Sequence, residues 1–179
     1  MNIYRMTGVI TGIIIGLIIC AVLFRFANTN KKLKTEYDER QRSIRNLAYK
    51  YAFYTVMIYE ILMLVLGMGN VELPMPDYAV HFCGIILGCT VLGVYCIWKD
   101  VYWGMNNNRK RYILVFAATI ALNMIPVVAS IAGGSFITDG KVTTPVVNLM
   151  VLFMLLALLI TFILKSVFVK ETDIGEDEA

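Results

Sequence analysis

Apolar residues along this chain gather in five long blocks, at 6–24, 47–68, 79–98, 113–132 and 146–168, separated by short polar links. Each block is close to the roughly 20 residues that a helix rising 1.5 Å per residue needs to cross a hydrocarbon core of about 30 Å. A transmembrane strand would alternate apolar and polar positions, and none of the blocks does. Backbone amides facing lipid must be paired within their own segment, so all five blocks are expected to be α-helical. The pattern therefore predicts an all-α, polytopic membrane helix bundle of five crossings over 1–170, followed by an acidic tail at 171–179 expected to be unstructured.

Composition points to the same solvent. A chain of 179 residues with 59% hydrophobic and 16% charged side chains has too much apolar surface to bury in a water-soluble domain of its size. Charge then sets the orientation. The link after the first block holds Arg25, Lys31, Lys32, Lys34, Arg40, Arg42, Arg45 and Lys50; the link after the third holds Lys99, Arg109, Lys110 and Arg111; Lys165 and Lys170 close the fifth. Only Arg5 and Lys141 fall on the opposite side, with Glu72, Asp77 and Asp139. The positive-inside rule puts the N-terminus outside and the C-terminus in the cytoplasm of a plasma-membrane, multi-pass protein. The first block is expected to be retained, because its flank carries one Arg, its apolar run is long and no A-x-A site closes it. Ile19 stands before Cys20, where a lipoprotein signal needs a small residue.

Gly8, Gly12 and Gly16 recur every four residues and line one face of the first helix, the small-xxx-small spacing that lets two helices approach closely. Gly84 and Gly88 repeat it in the third. A first-to-third contact is the simplest use, and a homo-oligomer seam is the rival.

The segment 31–50 reads as an amphipathic cytoplasmic helix. Leu33, Tyr37, Ile44, Leu47, Ala48 and Tyr51 share helical spacing, Glu36 with Arg40 and Asp38 with Arg42 stand four apart, and Thr35 with Asp38 forms a capping pattern. Two readings stay open. One is a topology anchor beside lipid headgroups. The other is a docking surface for a protein partner in the membrane or cytoplasm, carried by Lys34, Asp38, Glu39, Arg40, Arg42 and Arg45, because acids mixed among the bases are not what lipid attraction alone selects. Nucleic acid is not an expected partner.

Tyr37-Asp38-Glu39-Arg40-Gln41, Lys50-Tyr51-Ala52-Phe53-Tyr54-Thr55 and Ile97-Trp98-Lys99-Asp100-Val101-Tyr102-Trp103-Gly104 together resemble an uncharacterised group of small multi-pass membrane proteins of Gram-positive bacteria. Those proteins carry a cytoplasmic Asp-Glu-Arg-Gln run before a helix. The resemblance implies a bacterial plasma-membrane protein and carries no activity with it.

Glu60 is the one acid inside an apolar block. A carboxylate at bilayer depth is expensive, so it is expected to face the bundle and find a partner. Counting inward from the cytoplasmic ends brings Thr90 and Asn123 to a similar depth. Pro126, which cannot donate to the Leu122 carbonyl, leaves an acceptor and a kink near the same level. A polar layer of Glu60, Thr90, Leu122, Asn123 and Pro126 is the candidate site, either as neutral glue, as a proton or cation path, or as a pocket for a polar ligand. His81 is expected to be an interfacial anchor. Cys20, Cys83, Cys89 and Cys96 are expected to be small buried residues, and no metal or cofactor site is expected. No catalytic constellation stands at a defined spacing, so the favoured expectation is a non-enzymatic accessory or regulatory subunit. The alternative is a small transporter or channel-forming protein that uses Glu60 for coupling.

Overall fold

The computed structural model describes residues 3–177, with side chains from 6 to 168. Its helices are α1 (Ile3–Ala27), α2 (Glu39–Met68), α3 (Asp77–Trp98), α4 (Arg109–Ala132) and α5 (Val146–Asp177). Among the described residues all five are long and apolar enough to cross a membrane. The only sheet among them is a hairpin of β1 (Ile137–Thr138) and β2 (Lys141–Val142). Asp139 and Gly140 join its strands with φ of 51° and 75°. Both values are positive, as the two-residue hairpin turn that favours Asp-Gly requires.

Three helices stop in the same way, each with a left-handed residue that lets its own amide and the next one turn back on the last carbonyls. After α2 it is Asn70 (φ 54°): its N–H donates to the Gly67 carbonyl at 3.0 Å, and the Val71 N–H donates to Leu66 at 3.1 Å. After α3 it is Asp100 (φ 60°), with bonds to Ile97 at 3.2 Å and from Val101 to Cys96 at 2.9 Å. After α4 it is Gly134 (φ 65°), with bonds to Ile131 at 3.1 Å and from Ser135 to Ser130 at 2.9 Å. These helix ends are thereby left with fewer orphan acceptors.

The chain divides into two compact units. One holds α1, the link through Asp38, and residues 103–117; the other holds 39–102 and the chain from 118 onward. In the second unit α3 lies between α2 and α5. α2 runs antiparallel to it, with Ala48 beside Cys96 and Val101 in a core that Ile44, Leu92, Tyr95 and Tyr102 close. α5 runs parallel to α3: the Tyr78 and Thr144 hydroxyls are 2.9 Å apart at one end, and Lys165 Nζ donates to the Ile97 and Trp98 carbonyls at 2.8 and 3.0 Å at the other. Lys165 also bridges to Asp100 and is only 17% exposed, so its ammonium sits on the carbonyl end of α3, where a cation is favoured.

Small residues on α3 decide its packing. A Cβ at Gly84 would lie 2.6 Å from the Tyr59 ring and 2.9 Å from Glu60 Oε1; one at Gly88 would lie 2.5 Å from Val56; one at Gly93 would lie 2.5 Å from Leu158. The expected use of Gly84 and Gly88 is therefore corrected: both are occupied by side chains of α2, and a Cβ built at Gly8, Gly12 or Gly16 meets nothing within 4 Å among the described residues.

Two boundaries also move. The cytoplasmic helix expected from Leu33 begins at Glu39, and 31–38 is irregular because its backbone is held by another loop. The acidic tail expected to be unstructured continues α5 as far as Asp177. Once a helix exists, each further residue adds a backbone hydrogen bond without a new nucleus. The last two residues of that tail lie outside the described residues.

Candidate functional site

The predicted polar layer does not assemble. Thr90 Oγ1 donates to the Ile86 carbonyl at 2.7 Å, and Asn123 Nδ2 donates to the Thr119 carbonyl at 2.8 Å. Both bonds lie within a single helix turn and leave neither group in need of a distant carboxylate. Leu122 is 68% exposed, and Pro126 sits inside an unbroken α4. Glu60 has a different partner: its Oε2 is 2.8 Å from His81 Nδ1. His81, expected to be an interfacial anchor, supplies the partner that Glu60 was expected to find.

Register explains the difference. Gly84 and Gly88 let Tyr59 and Val56 seat deeply, which slides α2 along α3 until Glu60 stands opposite 81–84. Thr90 is nine positions further on, roughly 13 Å along the axis. Tyr59 pins the same register, its hydroxyl donating to the Val80 carbonyl at 2.8 Å. The side chains of Glu60 and His81 are 35% and 63% exposed. Either the imidazole N–H donates to the carboxylate, or a protonated Glu60 donates to the ring. In both cases one hydrogen bond joins the carboxylate to the ring across α2 and α3.

His81 also lines a cavity of about 380 Å³ at the end of this unit that carries Glu72, Asp77 and Asp139. Met63, Leu66, Val71, Leu73, Met75 and Val80 supply apolar walls, and Glu72, Asp77, His81 and Lys141 supply polar groups. The hairpin turn positions Lys141. Its neighbour Val142 donates its N–H to the Pro74 carbonyl at 2.9 Å, and Lys141 Nζ reaches Glu72 at 3.1 Å.

In the first unit, two links remote in sequence are fastened by asparagines. Asn28 is fully buried and Asn106 is 6% exposed. Asn106 Nδ2 donates to Asn30 Oδ1 and to the Lys34 carbonyl at 3.1 and 3.0 Å, while its Oδ1 accepts from the Glu36 N–H at 2.8 Å. Asn28 Oδ1 accepts from Asn107 Nδ2 at 2.7 Å, and Asn28 Nδ2 donates to the Lys32 carbonyl at 2.8 Å. Backbone bonds from Thr29 to Asn106 and from Met105 to Glu36, both 2.8 Å, complete the latch. Gly104 is needed here, since a Cβ would collide with Thr35 and the Glu36 carbonyl. Asn108 Oδ1 accepts from the Arg111 N–H at 3.2 Å and caps α4. Lys31, Lys32, Lys34, Arg109 and Lys110 are thereby exposed on one ordered unit, beside Asp38 and half-buried Glu36.

The remaining residues of the predicted interaction segment sit in the other unit. Glu39, Arg40 and Arg42 are exposed on the first turn of α2. Arg45 is turned inward, donating to the Val101 carbonyl and the Tyr49 hydroxyl, both at 3.2 Å, and so serves packing. Of the four cysteines expected to be buried, only Cys96 is fully so; Cys20 and Cys89 are exposed on their helices.

The chain matches no known protein family, no curated protein and no solved structure. Three features escaped the sequence reading: the latch, the hairpin and the His81 partner of Glu60. Signals existed for two of them, namely Asn-rich links at 28–30 and 106–108 and the Asp139-Gly140 pair between β-prone residues.

Proposed function

We propose that this chain is a non-enzymatic plasma-membrane protein, with its N-terminus outside and its C-terminus in the cytoplasm, that works as an accessory or regulatory subunit. It presents an ordered basic surface, Lys31, Lys32, Lys34, Arg109 and Lys110, to an acidic patch on a protein partner, with anionic headgroups beside it. The observation that carries this reading is the asparagine latch. Holding topology needs only charge, and a flexible basic link would serve. Ordering a link costs about 1–2 kcal/mol per residue, and a segment held in one shape by buried asparagines favours recognition over mere anchoring. The resemblance carried by Tyr37-Asp38-Glu39-Arg40-Gln41 supports a bacterial setting.

Co-purification in mild detergent tests it. A stoichiometric partner should be held by the native chain and lost by Asn106→Ala, which keeps every charge and removes only the shape. Retention of the partner by Asn106→Ala, and by a variant with Lys31, Lys32 and Lys34 changed to Ser, would end this reading. A second reading, a small transporter or channel-forming homo-oligomer, is favoured by the Glu60–His81 pair. It predicts a proton or cation flux in liposomes that Glu60→Gln abolishes.

A further inference from the structure

The cavity beside His81 has the ingredients of a ligand site, and its charges narrow the ligand. We infer that it binds a small organic cation, a protonated amine on a short apolar body, against Asp77. This inference is independent of the basic surface at the other links and of whether the protein transports anything.

Volume comes first. About 380 Å³ lies at the lower end of the roughly 300–1,000 Å³ typical of small-molecule pockets, too little for a peptide and ample for an amine with a short chain. The walls come next. Met63, Leu66 and Val80 come from the two packed helices, and Leu73 and Met75 from the turn that joins them, so an apolar body finds side chains on several sides. Met63 and Met75 add adaptable, polarisable contact.

The polar groups then select the sign. Lys141, the one Lys or Arg lining the cavity, is committed to Glu72 at 3.1 Å, and His81 is committed to Glu60 at 2.8 Å. Asp77 lines the same cavity with no ion-pair partner among the described residues. An anion would have to pull Lys141 or His81 away from a carboxylate and then sit beside Asp77. An ammonium meets Asp77 directly and leaves both pairs in place. A neutral apolar molecule would use the walls and leave the acids idle.

Calorimetry on the full chain in nanodiscs of zwitterionic lipid, with empty discs as the blank, tests this with four probes: hexylammonium, methylammonium, hexanoate and hexanol. Hexylammonium should bind saturably and at least tenfold more tightly than each of the others. Asp77→Asn, at an exposed position away from the core, should weaken it about tenfold. Met63→Trp, which fills the cavity, should abolish it while helicity and melting stay near native. Absence of saturable hexylammonium binding would overturn the inference, as would equal affinity for hexanoate or hexanol. Equal affinity for methylammonium would show surface acids alone at work and would overturn it too, and so would binding indifferent to both Asp77→Asn and Met63→Trp. Loss of the partner in the co-purification experiment would leave these results unchanged, so the two readings fail separately.

Discussion

α1 and α3 are nearly the same helix on paper and opposite in their surroundings. Both are strongly apolar, both carry glycines four apart, and both are long enough to cross a bilayer. None of the spanning window of α1 is buried, whereas α3 has a third of its window buried, with Gly84, Gly88 and Gly93 filled by Tyr59, Val56 and Leu158. The difference teaches that a glycine stripe is permission, and that a partner helix must bring side chains of the right reach to use it. In lipid no hydrophobic gain draws two apolar helices together, so close packing and a few polar bonds have to do so. α3 has both, through Val56 against Gly88 and through the Tyr59–Val80 and Glu60–His81 bonds.

The largest effect expected from breaking this contrast is at Gly88. In Gly88→Leu even the first carbon would stand 2.5 Å from Val56 and 3.3 Å from the Ala52 carbonyl. Forcing α2 away should destabilise the fold by about 3 kcal/mol, read by mixed-micelle denaturation. Next comes Asn106→Ala, which strips three bonds from the latch and leaves the Glu36 N–H and the Lys34 carbonyl unmatched. A local loss of about 2 kcal/mol should follow, seen as faster hydrogen exchange over 28–36 with the spans protected as before. Lys165→Met keeps the stem and removes the ammonium from the end of α3, and should lower stability by about 1 kcal/mol in a thermal melt.

The smallest change is the sharpest control. Gly12→Leu should stay within about 0.5 kcal/mol of native, because nothing surrounds that position. If it instead matched Gly88→Leu, with cross-linked dimer lost in parallel, α1 would be a covered helix after all and the homo-oligomer seam would replace the contrast drawn here.

The spans were legible because their cause is local. A segment that crosses lipid must be apolar and must pair its own amides, and both requirements are written in about 20 consecutive residues. The helix stops were less so: Asn70 and Asp100 take left-handed conformations that the letters permit but do not demand. Glu60 was recognisable as anomalous, while its partner was not. Depth counting compares residues along separate helices, and the true offset came from how far Tyr59 and Val56 sink into Gly84 and Gly88. The start of α2 was misplaced for a related reason. Leu33 and Tyr37 keep helical spacing, yet the Lys34 carbonyl and the Glu36 N–H are taken by Asn106, more than 70 residues away.

By itself, then, the sequence determined five lipid-compatible helices, a strong charge asymmetry between their links, and the presence of one misplaced acid. Only the tertiary structure decided which glycines are covered, which base holds that acid, and that Asn28 and Asn106 bind two basic links into one surface. The division has a physical cause. Solvation by lipid acts on each segment separately, whereas register and burial arise from side-chain volumes on segments far apart in the chain, and those volumes meet only after packing has chosen among the offsets that hydropathy leaves equal.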